Sequence, residues 1–158
     1  MIFEDVTDFA AALPSYAPLA GLDLGTKTIG VAVSDAMHTI ASPLETIQRT
    51  KFGADAARLM DIVNHRRIAG IVLGLPRNMD GSEGPRAQST RAFARNLAKL
   101  TDLPIAYWDE RLSTVAADRA MLEADLSRKR RAERIDNVAA GIILQGLLDR
   151  LGHIKGAS

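Results

Sequence analysis

The residues predict an α/β domain built on a mixed sheet. Residues 18–25 and 28–35 are two apolar segments joined by so short a turn, around Thr26 and Lys27, that only an antiparallel hairpin can connect them. After a further short strand, helical stripes alternate with apolar runs, the pattern of helices packed on a sheet. The chain then closes on helices, and right-handed crossovers would set the first, fourth and fifth of five strands parallel and adjacent.

Each element follows from its residues. Phe3, Val6, Phe9 and Leu13 fall at near-helical spacing and predict a short amphipathic helix ending near Pro14. Glu4, Asp5 and Asp8 are the only charges there, which sets residues 1–17 apart as an N-terminal extension laid over a domain of residues 18–152. Residues 153–158 read as a tail. Leu44 to Gln48 form the third strand. Phe52, Ala56, Leu59, Met60 and Val63 make a helical stripe ending by Arg67, before the buried strand Ile68–Gly74. Turn formers fill Pro76 to Gly84, and Pro85 opens a helix with Phe93, Leu97 and Leu100 on its inner face. Strand 104–109 follows, then a helix capped by Ser113 or Thr114 running to about Asp125. A basic linker leads to a last helix, Asp136 to Leu151.

Composition narrows the function classes. A chain of 158 residues with 47% hydrophobic content fits one domain with a real core. Its 20 Lys and Arg against 19 Asp and Glu give a net charge of +1, so any nucleic-acid signal has to come from local clustering. The absence of cysteine excludes disulfides and thiolate-held zinc. No apolar stretch reaches the roughly 20 residues that cross a bilayer, and the N-terminus carries acids where a signal peptide carries bases. The expectation is a soluble, cytoplasmic protein with no membrane partner.

Three acids on three elements carry the chemistry: Asp23 in an apolar strand, Glu110 at the end of another, and Asp136 at the start of the last helix. Gly21 and Gly25 flank Asp23 at spacing two and share its face, so the missing side chains would leave room for an ion and a phosphate. Two Mg²⁺ or Mn²⁺ ions, about 3.5–4 Å apart on such carboxylates, would neutralise a phosphodiester and generate hydroxide near neutral pH. His38, His65 and His153 read as surface or packing residues. Of the neighbours Asp109 and Glu110 only one can face the site on a regular strand, and Glu110 is the choice. Asp35 reads as a turn residue.

Substrate contacts are expected from the turn Gly25, Thr26 and Lys27, from Arg111, and from Arg128, Lys129, Arg130 and Arg131, a basic run just before Asp136. Arg77, Arg86, Arg91 and Arg95 extend that track. Tyr107 and Trp108 lie in a strand and read as core.

Four ordered motifs hold these residues. They are Asp23 to Asp35, Gly74-Leu75-Pro76 with Asn78-Met79-Asp80-Gly81, Asp109 to Thr114, and Ile135 to Ala140. Across about residues 18–151 they resemble the YqgF family, also called RuvX. The resemblance implies a ribonuclease H-like fold related to Holliday-junction resolvases, and a nuclease maturing the 5′ end of pre-16S ribosomal RNA in ribosome biogenesis. It also implies that Asp23, Glu110 and Asp136 are the catalytic acids, and that precursor ribosomes are partners. Two features depart from the pattern: Thr28 stands where a basic residue is expected, and residues 1–17 precede the usual start.

Three other readings stand beside it. Branched DNA would be an alternative substrate, and its resolution would call for a symmetric dimer. A silent nucleic-acid-binding module would use the basic run alone. Asp-Leu-Gly-Thr also resembles a phosphate motif of actin-like and sugar kinases, whose ATP site needs a second domain that 158 residues cannot easily supply.

Overall fold

Strands that are apolar on both sides form the centre of this molecule. The computed structural model describes residues 1–115, 117 and 128–156, with side chains for these except 128–136. β2 (Leu19–Leu24) and β5 (Gly70–Leu75) are buried at every position, as strands covered by helices on both faces have to be. β2 turns into β3 (Thr28–Ser34), antiparallel, with Asp23 opposite Gly30. β3 pairs antiparallel with β4 (Ala41–Gln48), while β5 lies parallel to β2 and β6 (Ile105–Asp109) parallel to β5. The three parallel neighbours are the ones that the crossover rule predicts.

Two details differ from expectation. The sheet has six strands, because β1 (Ile2–Phe3) pairs parallel with the outer edge of β6. Two residues are too few to show a strand period, so they read as the start of the helix that follows. β4 begins at Ala41 rather than Leu44, with Pro43 inside it. The register there slips, Val31 facing Glu45 and Ala32 facing Pro43, and an edge strand with such an irregularity tolerates the missing N–H of proline.

Alternation along the strands divides the core between two faces. Ala20, Leu22, Ile71 and Leu73 pack with Leu59 and Val63 of α2 (Phe52–Arg66) and with Phe93 and Leu97 of α3 (Pro85–Ala98). Leu19, Val72 and Trp108 pack on the other face with Phe9 of α1 (Val6–Ala12) and with Ala140, Ile143, Leu144 and Leu147 of α4 (Arg128–Gly156). Leu100 lies beyond the end of α3 and is 55% exposed, not on its inner face.

α4 corrects the expectation most. It spans 29 residues and starts at Arg128, so the expected basic linker is helical. No Gly or Pro interrupts 128–135, and straight-chain Arg, Lys and Glu favour a helix. Asp136 therefore lies two turns inside the helix and is not its cap. The helix expected from Ser113 to about Asp125 lies almost wholly outside the described residues.

Candidate active site

The path of α4 over the sheet fixes what stands above Asp23. A β-carbon added to Gly21 would lie 2.7 Å from Leu144 Cβ and 3.0 Å from the Ala140 carbonyl oxygen, so α4 sits directly on β2 there. Farther along, Lys155 Nζ reaches His38 Nδ1 at 3.2 Å, and His38 Nε2 bonds the Ala17 carbonyl at 2.7 Å, just before β2 begins. The helix thus runs opposite to β2. Stepping two residues from Gly21 to Asp23 advances about 6.6 Å, and stepping back four residues from Ala140 to position 136 advances about 6 Å the same way. By the same register the first half of α4 extends toward the Asp23 end of β2.

Gly21 therefore serves a different purpose from the one expected. The space beside it is filled by α4, which leaves no room there for an ion or phosphate. Glycines stand beside Asp23 on both neighbouring strands. Gly30 is its partner on β3, and on β5 the pair Leu22 and Leu73 makes Gly74 the next residue alongside Asp23.

Glu110 arrives at that glycine. Its Oε1 lies 3.0 Å from where a Gly74 β-carbon would stand, on the face where Ile143 of α4 also packs. Glu110 does so from a 3₁₀ turn, Glu110–Leu112, immediately after β6, rather than from the strand itself. Asp23 is 2% exposed. One carboxylate on β2 and one on the turn after β6 thus lie toward the carboxyl ends of these strands, where an open α/β sheet collects its functional groups.

Asp109 takes the other role open to it. Its carboxylate accepts from Arg111 Nε at 3.1 Å and Nη2 at 2.7 Å, and from the Arg111 N–H at 3.0 Å. Those bonds hold the Asp109 carboxyl below its ordinary range, against a smaller opposing effect of burial. Arg77 adds a weaker contact at 4.0 Å. The Arg111 fork clamps the 3₁₀ turn that carries Glu110.

The turn after β2 is held equally firmly. Gly25 N–H donates to the Thr28 carbonyl at 2.8 Å, so that amide closes the hairpin and is not available to a phosphate. Arg49 donates to the Gly25 carbonyl at 2.7 Å and its own N–H to Lys27 O at 2.9 Å, while Arg86 donates to Leu24 O at 3.1 Å. Thr26 and Lys27 stay exposed. Sequence reasoning missed Arg49, which reaches the turn only because Thr28 faces Gln48 across β3 and β4. Thr28, where a basic residue was expected, is 4% exposed.

The remaining basic positions divide. Arg91 binds Glu83 through Nε and Nη2 at 2.6 and 2.8 Å, binds Glu4 at 2.6 Å, and lies over the Tyr107 ring. It is a structural tie between α3 and the N-terminal segment, not part of a phosphate track. Arg128, Lys129, Arg130 and Arg131 occupy the first turn of α4, about 8–12 Å beyond position 136 by helical rise. Asp35 is a turn residue, accepting from the Thr39 hydroxyl and from the N–H groups of Thr39 and Ile40.

Hard oxygen donors, one of them deeply buried, fit a divalent cation of the Mg²⁺ or Mn²⁺ kind. Among the described residues no group of three His, Asp, Glu or Cys side chains is placed to hold a metal, and the Asp136 side chain lies outside them. No helix among the described residues is long and apolar enough to cross a membrane.

Comparison with known proteins places the chain among relatives. It is 74% identical over 157 residues to a Rhodobacter capsulatus protein named "Putative pre-16S rRNA nuclease", covering 99% of each chain. A Ruegeria pomeroyi protein of the same name is 70% identical over 154 residues, covering 98% of this chain and 100% of the relative. Among solved structures, T. thermophilus RuvC in complex with Holliday junction substrate aligns with a TM-score of 0.53 at 15% identity, covering 87% of this chain and 97% of that one, a likeness of fold. A family model described as "RuvX: Holliday junction resolvase" matches residues 17–150, and with these relatives it shows that the chain belongs to the RuvX family.

Proposed function

We propose that this protein is a divalent-metal-dependent endonuclease of the cytoplasm that hydrolyses phosphodiester bonds at the 5′ end of pre-16S ribosomal RNA, on ribosome precursors. The observation that carries the reading is Glu110 seated over Gly74, alongside Asp23. Asp23, Glu110 and Asp136 are the proposed catalytic acids and the ligands of Mg²⁺ or Mn²⁺, in line with a last helix that runs toward the Asp23 end of β2. The names of the close relatives supply the RNA substrate.

Bound divalent ions would supply charge neutralisation at the phosphoryl oxygens and a water made acidic enough to attack near neutral pH. The chain's own groups do the positioning. Asp23 stays fixed because its strand is buried on both sides. Arg111 fastens the turn bearing Glu110 through Asp109. Thr26 and Lys27, on a turn tethered by Arg49 and Arg86, offer a hydroxyl and an ammonium to a phosphate. Arg128, Lys129, Arg130 and Arg131 hold the strand farther out, contributing counterion release but no sequence readout. Consecutive positions on a helix lie 100° apart, so not all four meet one strand together.

The test is cleavage of a precursor ribosomal RNA fragment and of a four-way junction, each in Mg²⁺, Mn²⁺ or chelator. The expected result is metal-dependent cutting of the RNA, lost in Asp23→Asn, Glu110→Gln and Asp136→Asn, with all three variants folded. Cutting confined to the junction would overturn the substrate. Binding without cutting in any metal would reduce the protein to a binding module.

A further inference from the structure

The motif Asn78-Met79-Asp80-Gly81 has no part in the roles assigned above, although its loop leaves the carboxyl end of β5 close to the acids. Its own polar groups organise it. Gly81 N–H donates to the Asn78 carbonyl at 2.9 Å, which makes Met79 and Asp80 the two central residues of a turn, and Gly81 takes a φ of +88°. Asn78 N–H donates to the Ser82 carbonyl at 2.9 Å and Asn78 Nδ2 to the Ser82 hydroxyl at 3.0 Å. The Asp80 carboxylate accepts from the Ser82 N–H at 2.9 Å and from its hydroxyl at 2.6 Å. Asp80 thus belongs to this network. Met79 does not, and at 93% exposure it is the most exposed large apolar side chain among the described residues.

The loop tip meets the turn that carries Glu110. A β-carbon on Gly81 would lie 3.5 Å from Arg111 Nη1, and the residue after Arg111 is Leu112, itself 70% exposed. Each connection beyond the carboxyl ends of β5 and β6 therefore holds one large apolar side chain in water. Neither turn needs it for its own structure. The central positions of such a β-turn accept most residue types, and the 3₁₀ turn is fastened by the Asp109–Arg111 pair and by Ser113 N–H on the Glu110 carbonyl at 3.3 Å. A polar residue would fold there as well, without apolar surface left in water. Fixed apolar groups beside a site for a phosphodiester match the flat faces of nucleobases, the uncharged part of the strand.

We propose that Met79 and Leu112 form an apolar grip on the nucleic-acid strand, wedging against unpaired bases next to the phosphate presented to Glu110. The proposal rests on the nuclease reading for its ligand and deepens it, since every other substrate contact argued above goes to phosphate. Methionine and leucine are among the side chains that enter between base steps. The grip tolerates any sequence, because every base has such a face. Both residues bind substrate and take no part in the chemical step.

The experiment titrates the full-length protein in chelator with short single-stranded RNAs, each carrying 2-aminopurine at one position, and reads its emission together with the anisotropy of an end label. Wild type should raise the emission at one or two adjacent positions, as a base leaves its stack. Met79→Ser and Leu112→Ser should each weaken binding about fivefold and together abolish the emission change, with Tm unaltered. The salt slope should stay as in wild type, because no phosphate contact is removed. Met79→Leu should restore affinity and emission. A double variant with wild-type affinity and emission would overturn the grip alone, as would a loss of affinity that comes with a shallower salt slope. Wild type that binds no RNA would overturn both the grip and the RNA substrate, while the nuclease reading itself is tested separately by cleavage in metal and its loss in Asp23→Asn.

Discussion

Glu110 sets its Oε1 3.0 Å from the place where a β-carbon on Gly74 would stand. One residue type thus makes room for another that is 36 positions away, and the room lies alongside Asp23. A methyl at Gly74 would also come within 2.3 Å of Ile143 Cδ1. Overpacking of this kind costs roughly 1–3 kcal/mol and moves the neighbours. Gly74→Ala should lower Tm and reduce metal-dependent cleavage by about 10²-fold, since displacement of a reacting group by about 1 Å has that effect. Gly53→Ala is the control, because nothing lies within 4 Å of its β-carbon. It should cleave like wild type and be as stable or up to about 1 kcal/mol more so. Full activity in folded Gly74→Ala would separate Glu110 from the reaction.

Arg91 separates structural cations from binding ones. Its fork on Glu83 and its bond to Glu4 join α3 to the segment leading from β1, and burial of its stem against Tyr107 adds packing. Arg91→Ala should cost about 1.5–3 kcal/mol in urea unfolding, the range for hydrogen bonds to charged groups. The salt slope of RNA affinity should stay as in wild type. A slope reduced by about one would return Arg91 to the phosphate track.

Asp35 gives a pH dependence of known sign. Its carboxyl is lowered from 3.8 to about 2, first by the Thr39 hydroxyl and then by the N–H groups of Ile40 and Thr39. A folded pKa below the unfolded one means that the contribution is complete above about 3.8 and fades as pH falls towards 2. Wild type minus Asp35→Ala, followed by thermal unfolding between pH 6 and pH 2.5, should show a stability difference that shrinks with acid. A difference independent of pH would mean that the turn between β3 and β4 does not depend on the ionised carboxylate.

Much of this was readable from local pattern. The hairpin of β2 and β3 follows from a turn too short for a crossover, and the three parallel strands follow from the alternation after Phe52. Asp23 is conspicuous as a carboxylate in an apolar run, and Asp35 as a turn residue after a strand. What escaped has a common cause. Gly74 and Arg49 matter through their partners across the sheet, and pairing register between distant segments leaves no mark on local periodicity. Arg91 looked like a phosphate ligand because its partners Glu4 and Glu83 lie far off or across a loop. The start of α4 was placed late because a basic stretch with few apolar residues shows no stripe, although its residues are good helix formers.

The amino-acid order by itself singled out the acids proposed to bear the chemistry and most of the segments that become strands and helices, since both follow from side-chain type and short-range spacing. Only the folded arrangement decided that Glu110 meets Gly74, that Arg111 is tied to Asp109, and that α4 runs against β2. Those outcomes depend on how deeply one backbone can approach another, and that is set by packing between elements that are neighbours only in space.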